Sequence, residues 1–120
     1  MKTILLADDE ANLRNLVHTT LEDPAYRILE AIDGSQALAM ARQERPDLLI
    51  LDWMMPGMPG IEVARTLHAD PATAHLPIIM LTARGQQVDK NNGLAAGAFA
   101  YLVKPFSPLE LLDKVQEALG

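Results

Sequence analysis

Apolar residues along the chain gather into five short runs, at 3–7, 28–31, 48–51, 78–81 and 101–103, each bounded by polar or turn-forming positions. Runs of this length, rich in Ile, Leu and Val, read as strands. Between them the spacing becomes helical. Leu13, Leu16, Val17 and Leu21 recur at helical intervals and predict a first helix with that face buried, ending by Asp23 because Pro24 cannot continue it. A second helix over 35–45 turns Ala37, Leu38 and Ala41 inward and stops at Pro46. A third, over 61–68, follows the turn Pro56-Gly57-Met58-Pro59-Gly60. A further helix is predicted over 86–96, where the pattern is thin and Asn91, Asn92 and Gly93 are poor helix formers in succession. The last helix is the best marked: Ser107 can cap it, Pro108 suits its first position and Glu110 completes a capping box. Leu111, Leu112, Val115, Ala118 and Leu119 form its buried stripe.

Strands and helices that alternate in this way predict an α/β fold, a parallel sheet with helices on both faces. The third and fourth runs are wholly apolar, as central strands are. Arg27 and Glu30 beside and within the second run suit an edge. No repeat, low-complexity tract or linker interrupts the pattern, so residues 1–120 are expected to form one domain.

Composition narrows the function classes. Although 49% of the residues are hydrophobic, no apolar stretch reaches the length that spans a bilayer. The N-terminus MKTILLADDE has a short apolar run that meets three acids, unlike a secretory signal, which points to a cytoplasmic protein. The absence of Cys fits that compartment and excludes disulfides and thiolate metal sites. A formal net charge of −6 with scattered basic residues argues against a nucleic-acid surface.

The reactive side chains fall at the ends of the predicted strands: Asp8 and Asp9 after the first, Asp52 after the third, Thr82 after the fourth and Lys104 after the fifth. In a parallel sheet those ends share one edge, where open α/β folds bind ligands. Any one of these residues alone could be an ordinary strand terminator or helix cap; together they make a site. Three carboxylates and one ammonium leave a negative excess that a hard divalent cation would relieve, and Mg²⁺ prefers a few carboxylates with water and phosphate oxygens. One carboxylate could then attack phosphorus to form an aspartyl phosphate, with Lys104 balancing charge on the phosphoryl oxygens and the Thr82 hydroxyl donating to one of them. A flavin-binding domain would need a Ser/Thr/Gly-rich loop after the first strand, where Asp8, Asp9 and Glu10 stand. A phosphatase of the haloacid dehalogenase class would carry its nucleophile on the first strand in an Asp-x-Asp pattern. His18, His68 and His75 lie on helix or loop segments and read as ordinary surface residues.

From ILLADDE through PDLLILDWMMPGMPG and PIIMLTA to YLVKPFSPLEL, the whole chain resembles the receiver domain of bacterial two-component response regulators. The resemblance implies a doubly wound, flavodoxin-like sheet of five parallel strands in the order 2-1-3-4-5, flanked by five helices. It implies that Asp52 accepts phosphate from a histidine kinase or phosphotransfer protein. It implies Mg²⁺ held by Asp8, Asp9, Asp52 and the backbone carbonyl of Met54. Thr82 and Tyr101 match the family's switch pair and Lys104 its lysine, followed by a cis peptide bond to Pro105. The implied output surface comprises the 86–96 helix, the fifth strand and the last helix, and reads out to an output domain or protein. Such a domain is not an enzyme beyond self-catalysed phosphoryl acceptance and slow autodephosphorylation. A receiver-like interaction module that is never phosphorylated is disfavoured, since all the site residues are present. Phe99 and Ala100 stand where members of the family often carry an acidic pair that joins salt bridges across the dimer face of the winged-helix regulators, so the resemblance does not extend to that pair; Phe99 either tucks into the core or offers an apolar contact to a partner.

Overall fold

A computed structural model describes residues 1–83 and 98–120. The elements run β1 (Lys2–Ala7), α1 (Ala11–Thr20), β2 (Tyr26–Ala31), α2 (Gly34–Glu44), β3 (Leu48–Asp52), α3 (Gly60–Ala69), β4 (Ile78–Ala83), β5 (Ala98–Lys104) and α4 (Pro108–Leu119). All strands are parallel and the sheet order is β2-β1-β3-β4-β5, a flavodoxin-like arrangement. The helix predicted over 86–96 lies outside the described residues.

Strand alternation divides the core in two. On one face Leu5, Ala7, Leu49, Leu51, Ile78 and Met80 pack with Ala37 and Ala41 of α2 and Val63, Ala64 and Leu67 of α3. On the other, Ile4, Leu6, Leu48, Ile50, Ile79, Leu81 and Leu102 pack with Val17 of α1 and with Leu111 and Val115 of α4. Both faces of β3 are therefore buried, as expected of a central strand, and each fully buried Leu or Ile contributes roughly 1.5–3 kcal/mol of hydrophobic free energy. By the same alternation Asp8 follows Ile4 and Leu6, Asp52 follows Leu48 and Ile50, and Lys104 follows Leu102. The three charged residues thus share the α1/α4 side at the C-terminal edge of the sheet.

Local chemistry explains the element boundaries. The Asp33 carboxylate accepts from the Gln36 amide, so α2 starts at Gly34 and ends at Arg45, whose φ of 49° breaks the helix before Pro46. The capping box of α4 is formed: the Glu110 amide donates to Ser107 Oγ and the Ser107 amide to Glu110 Oε1. In the β3–α3 loop Gly57 has φ 78°, and Gly60 sits where a Cβ would collide with the Asp52 carbonyl oxygen. The Lys104–Pro105 peptide bond is cis, as expected.

Two expectations are corrected. Leu16 is 46% exposed: the buried stripe of α1 runs through Val17 and Leu21, with Leu13 at its margin. Phe99 and Ala100 belong to β5 itself, which begins at Ala98, and Phe99 is exposed rather than tucked into the core. No helix among the described residues is long and apolar enough to cross a membrane.

Candidate functional site

Asp8 directly follows β1, Asp52 is the last residue of β3, Thr82 is the penultimate residue of β4 and Lys104 closes β5. The register fixes their height: Asp52 pairs with Leu81, Leu81 with Leu102, and Ala83 with Lys104. Asp8 is fully buried, Asp52 and Thr82 nearly so, Lys104 is partly buried and Asp9 is exposed. Asp8, Asp9 and Asp52 each place a carboxylate oxygen within 4.8 Å of the others.

The Lys104 ammonium lies between the two buried acids, with Nζ 3.2 Å from Asp8 Oδ2 and 3.3 Å from Asp52 Oδ1. The Glu10 amide donates to Asp8 Oδ1 at 2.8 Å, and the Met54 backbone amide donates to Asp52. Burial, reinforced by the neighbouring Asp8 charge, pushes the Asp52 carboxyl up to about 6, against the opposing pull of Lys104. Burial also raises Asp8, although Glu10 and Lys104 pull it down. For Lys104 burial works against the charge, but Asp52 and Asp8 together outweigh it and raise the ammonium. Among the described residues, two carboxylates share one ammonium with a third at the mouth, a balance short of positive charge. The donor set is all oxygen, which suits a hard cation.

Tyr101, one residue before Leu102 in β5, is partly buried, and its ring lies 6.4 Å from that of Trp53. Met54 lies two residues beyond Asp52 with its side chain exposed. His68 and His75 are exposed and make no contact with these acids. His18 is different. Its Nδ1 is 3.0 Å from Glu30, which binds Arg14, and Arg14 Nη1 donates to the Asp8 carbonyl at 2.7 Å. This chain of contacts escaped sequence reasoning. A signal was present: a long side chain in the first turn of a helix leans back toward the strand end that precedes it.

Residues 4–116 match the family described as the response regulator receiver domain, and the chain belongs to that family. It is a phosphoacceptor signalling domain of the two-component class. It is 48% identical over 118 residues to the phosphate regulon transcriptional regulatory protein PhoB of Pseudomonas aeruginosa, covering 98% of this chain and 52% of that protein. It is 46% identical over 116 residues to the transcriptional regulatory protein ResD of Bacillus subtilis, covering 97% of this chain and 47% of that one. The chain spans about half the length of the curated relatives it matches. Among solved structures, the chemotaxis response regulator CheY4 of Vibrio cholerae superposes with a TM-score of 0.90 at 39% identity, covering 99% of each chain. The receiver domain of the sensor histidine kinase PA1611 of Pseudomonas aeruginosa, with a magnesium ion coordinated in its active-site cleft, superposes at 0.89 with 34% identity, covering 99% of this chain and 98% of that one.

Proposed function

We propose that Asp52 is the phosphoacceptor, taking a phosphoryl group from the phosphohistidine of a histidine kinase or phosphotransfer protein. The observation that carries this reading is the pairing of Asp52 with Lys104 at 3.3 Å beside the carboxylates of Asp8 and Asp9. An Asp52 oxygen forms the new bond to phosphorus as the phosphorus–nitrogen bond to the donor imidazole breaks, and the nitrogen leaves with the electron pair. Lys104, already beside the attacking oxygen, meets one phosphoryl oxygen, and the Thr82 hydroxyl donates to another.

Asp8, Asp9, Asp52 and the Met54 carbonyl would hold Mg²⁺, and their oxygen donors and negative excess fit that ion. When bound it supplies positive charge to the phosphoryl oxygens. The magnesium site of the PA1611 receiver domain supports the assignment. The chain's own turnover is limited to accepting the group and losing it slowly to water, so it acts as a switch rather than an enzyme.

Thr82 and Tyr101 form the switch. Phosphorylation draws Thr82 toward the phosphoryl group and lets Tyr101 turn inward, changing the surface of the 86–96 segment, β5 and α4 that an output partner reads. The acidic balance of the domain leaves any DNA binding to that partner. Residues 1–120 act as one unit, and a kinase-coupled role suits the cytoplasm. Incubation with acetyl phosphate and Mg²⁺ should add one phosphate by mass spectrometry, and Asp52→Asn should add none while keeping its circular dichroism. Labelling of Asp52→Asn at the parent rate overturns the assignment.

A further inference from the structure

Asp8 is held from every side. Its amide donates to the Ala31 carbonyl at 3.1 Å, tying it to the edge strand β2. Its carboxylate accepts from the Glu10 amide at 2.8 Å and from Lys104 at 3.2 Å. Its carbonyl accepts from Arg14 Nη1 at 2.7 Å. That carbonyl belongs to the peptide plane joining Asp8 to Asp9, so its direction sets where the Asp9 side chain leaves the backbone. Asp9 is exposed, and no hydrogen bond fixes its carboxylate among the described residues. Its aim therefore depends on the peptide plane that Arg14 grips.

The guanidinium is itself fixed. Arg14 Nε donates to Glu30 Oε1 at 3.1 Å, and the second oxygen of Glu30 meets His18 Nδ1 at 3.0 Å. The Arg14 side chain is only 16% exposed. Arginine's planar fork can serve two acceptors on different strands at once, which an ammonium on a single stem does poorly. The Glu30 carboxylate also balances the positive charge that Arg14 brings close to the acidic crevice.

We infer that Arg14 is a positioning residue for the cation site, orienting the Asp8–Asp9 peptide and hence the Asp9 carboxylate, and that Glu30 holds Arg14 in place and cancels its charge. This rests on the reading of Asp8, Asp9 and Asp52 as the cation-binding acids. Arg14 acts on a bound cation in two opposed ways. Through space its charge repels the ion; through the peptide plane it aims a ligand at it. The positioning effect is the larger one. It also falls unequally on different ions, because Mg²⁺ demands near-ideal octahedral ligands whereas Ca²⁺ tolerates irregular ones.

The test is titration of the full chain with Mg²⁺ and with Ca²⁺, followed by Trp53 fluorescence and calorimetry, for the parent, Arg14→Gln, Arg14→Lys and Glu30→Gln. Thermal unfolding in chelator controls for the fold. Arg14→Gln should weaken Mg²⁺ about tenfold, in the range seen when groups supporting metal ligands are lost, and Ca²⁺ clearly less. Arg14→Lys should fail to restore the loss although it keeps the charge. Glu30→Gln should weaken Mg²⁺ in the parent and add nothing in the Arg14→Gln background. Unchanged or tighter Mg²⁺ binding by Arg14→Gln overturns the inference, as does an equal loss for both ions. Should Arg14→Gln fail to fold, Glu30→Gln decides by the same ratio of Mg²⁺ to Ca²⁺. A parent that binds no cation fails the underlying site assignment itself, an outcome distinct from a parent that binds and a variant that matches it.

Discussion

Trp53 and Tyr101 face each other with ring centroids 6.4 Å apart and planes tilted by 45°. The residue next to the proposed phosphoacceptor therefore meets the Tyr101 ring of β5, within the distance range where aromatic pairs interact. If Tyr101 turns when Thr82 is drawn to a phosphoryl group, the indole should register it. Beryllofluoride with Mg²⁺ should shift Trp53 emission beyond the effect of Mg²⁺ alone. In Thr82→Ala the phosphoryl mimic should still bind and the additional shift should vanish, together with any change in amide exchange over 86–96. An identical shift in Thr82→Ala would exclude the coupling.

The raised carboxyl of Asp52 makes metal-free stability depend on pH. The folded state holds this proton up to about 6, the unfolded chain only to 3.8. Between those values the folded state binds more protons, so stability falls as pH rises through the window and levels off above it. A shift of this size corresponds to on the order of 3 kcal/mol. In chelator, Asp52→Asn should be more stable than the parent at pH 7, and the gap should close toward pH 4. Lys104 does not reverse this sign, because its raised ammonium stays charged throughout that range. Urea unfolding of both proteins across the window is the measurement; a gap that stays constant with pH contradicts it.

Lys104 should have opposite effects on binding and on chemistry. Its ammonium lies 3.2 Å from one acid and 3.3 Å from another, so it competes with a cation for both. Lys104→Met should bind Mg²⁺ more tightly than the parent. It should also accept phosphate from acetyl phosphate roughly 100-fold more slowly, as when one donor to a developing charge is lost. Metal titration and timed mass spectrometry separate the two, and labelling at the parent rate removes Lys104 from the chemistry.

The cap of α4 is a local matter of stability. Ser107→Ala leaves the Glu110 amide without its acceptor and should cost about 1 kcal/mol. Amide exchange should quicken in Pro108–Leu119 first, while Mg²⁺ affinity holds. Loss of metal binding in this variant would mean that α4 shapes the crevice more than its packing through Leu111 and Val115 suggests.

Most of the architecture was legible because core and chemistry are written with short periods. Wholly apolar 48–51 and 78–81 read as central strands, and the polar residue that follows each run marks the sheet edge. The α4 cap was legible because Ser107, Pro108 and Glu110 act within one turn. Leu16 was misread because helical spacing alone does not say how wide a stripe the sheet covers. The start of β5 was missed because Ala98 and Ala100 carry little strand preference, and pairing with β4 supplies what they lack. The Arg14–Glu30–His18 contacts were invisible because they join α1 to β2 across a distance in sequence that only the folded register closes.

The split of the core into two faces has a consequence for how this gene can drift. Removing one residue from 48–51 would exchange the apolar sets of β3 and swing Asp52 away from Asp8 and Lys104 in the same stroke. Removing two would restore the parity but draw the aspartate back from the rim by about 7 Å. Length changes are thus filtered twice, once by packing and once by reach, and the tolerated ones should collect in exposed turns at the opposite edge, such as 22–25 between α1 and β2.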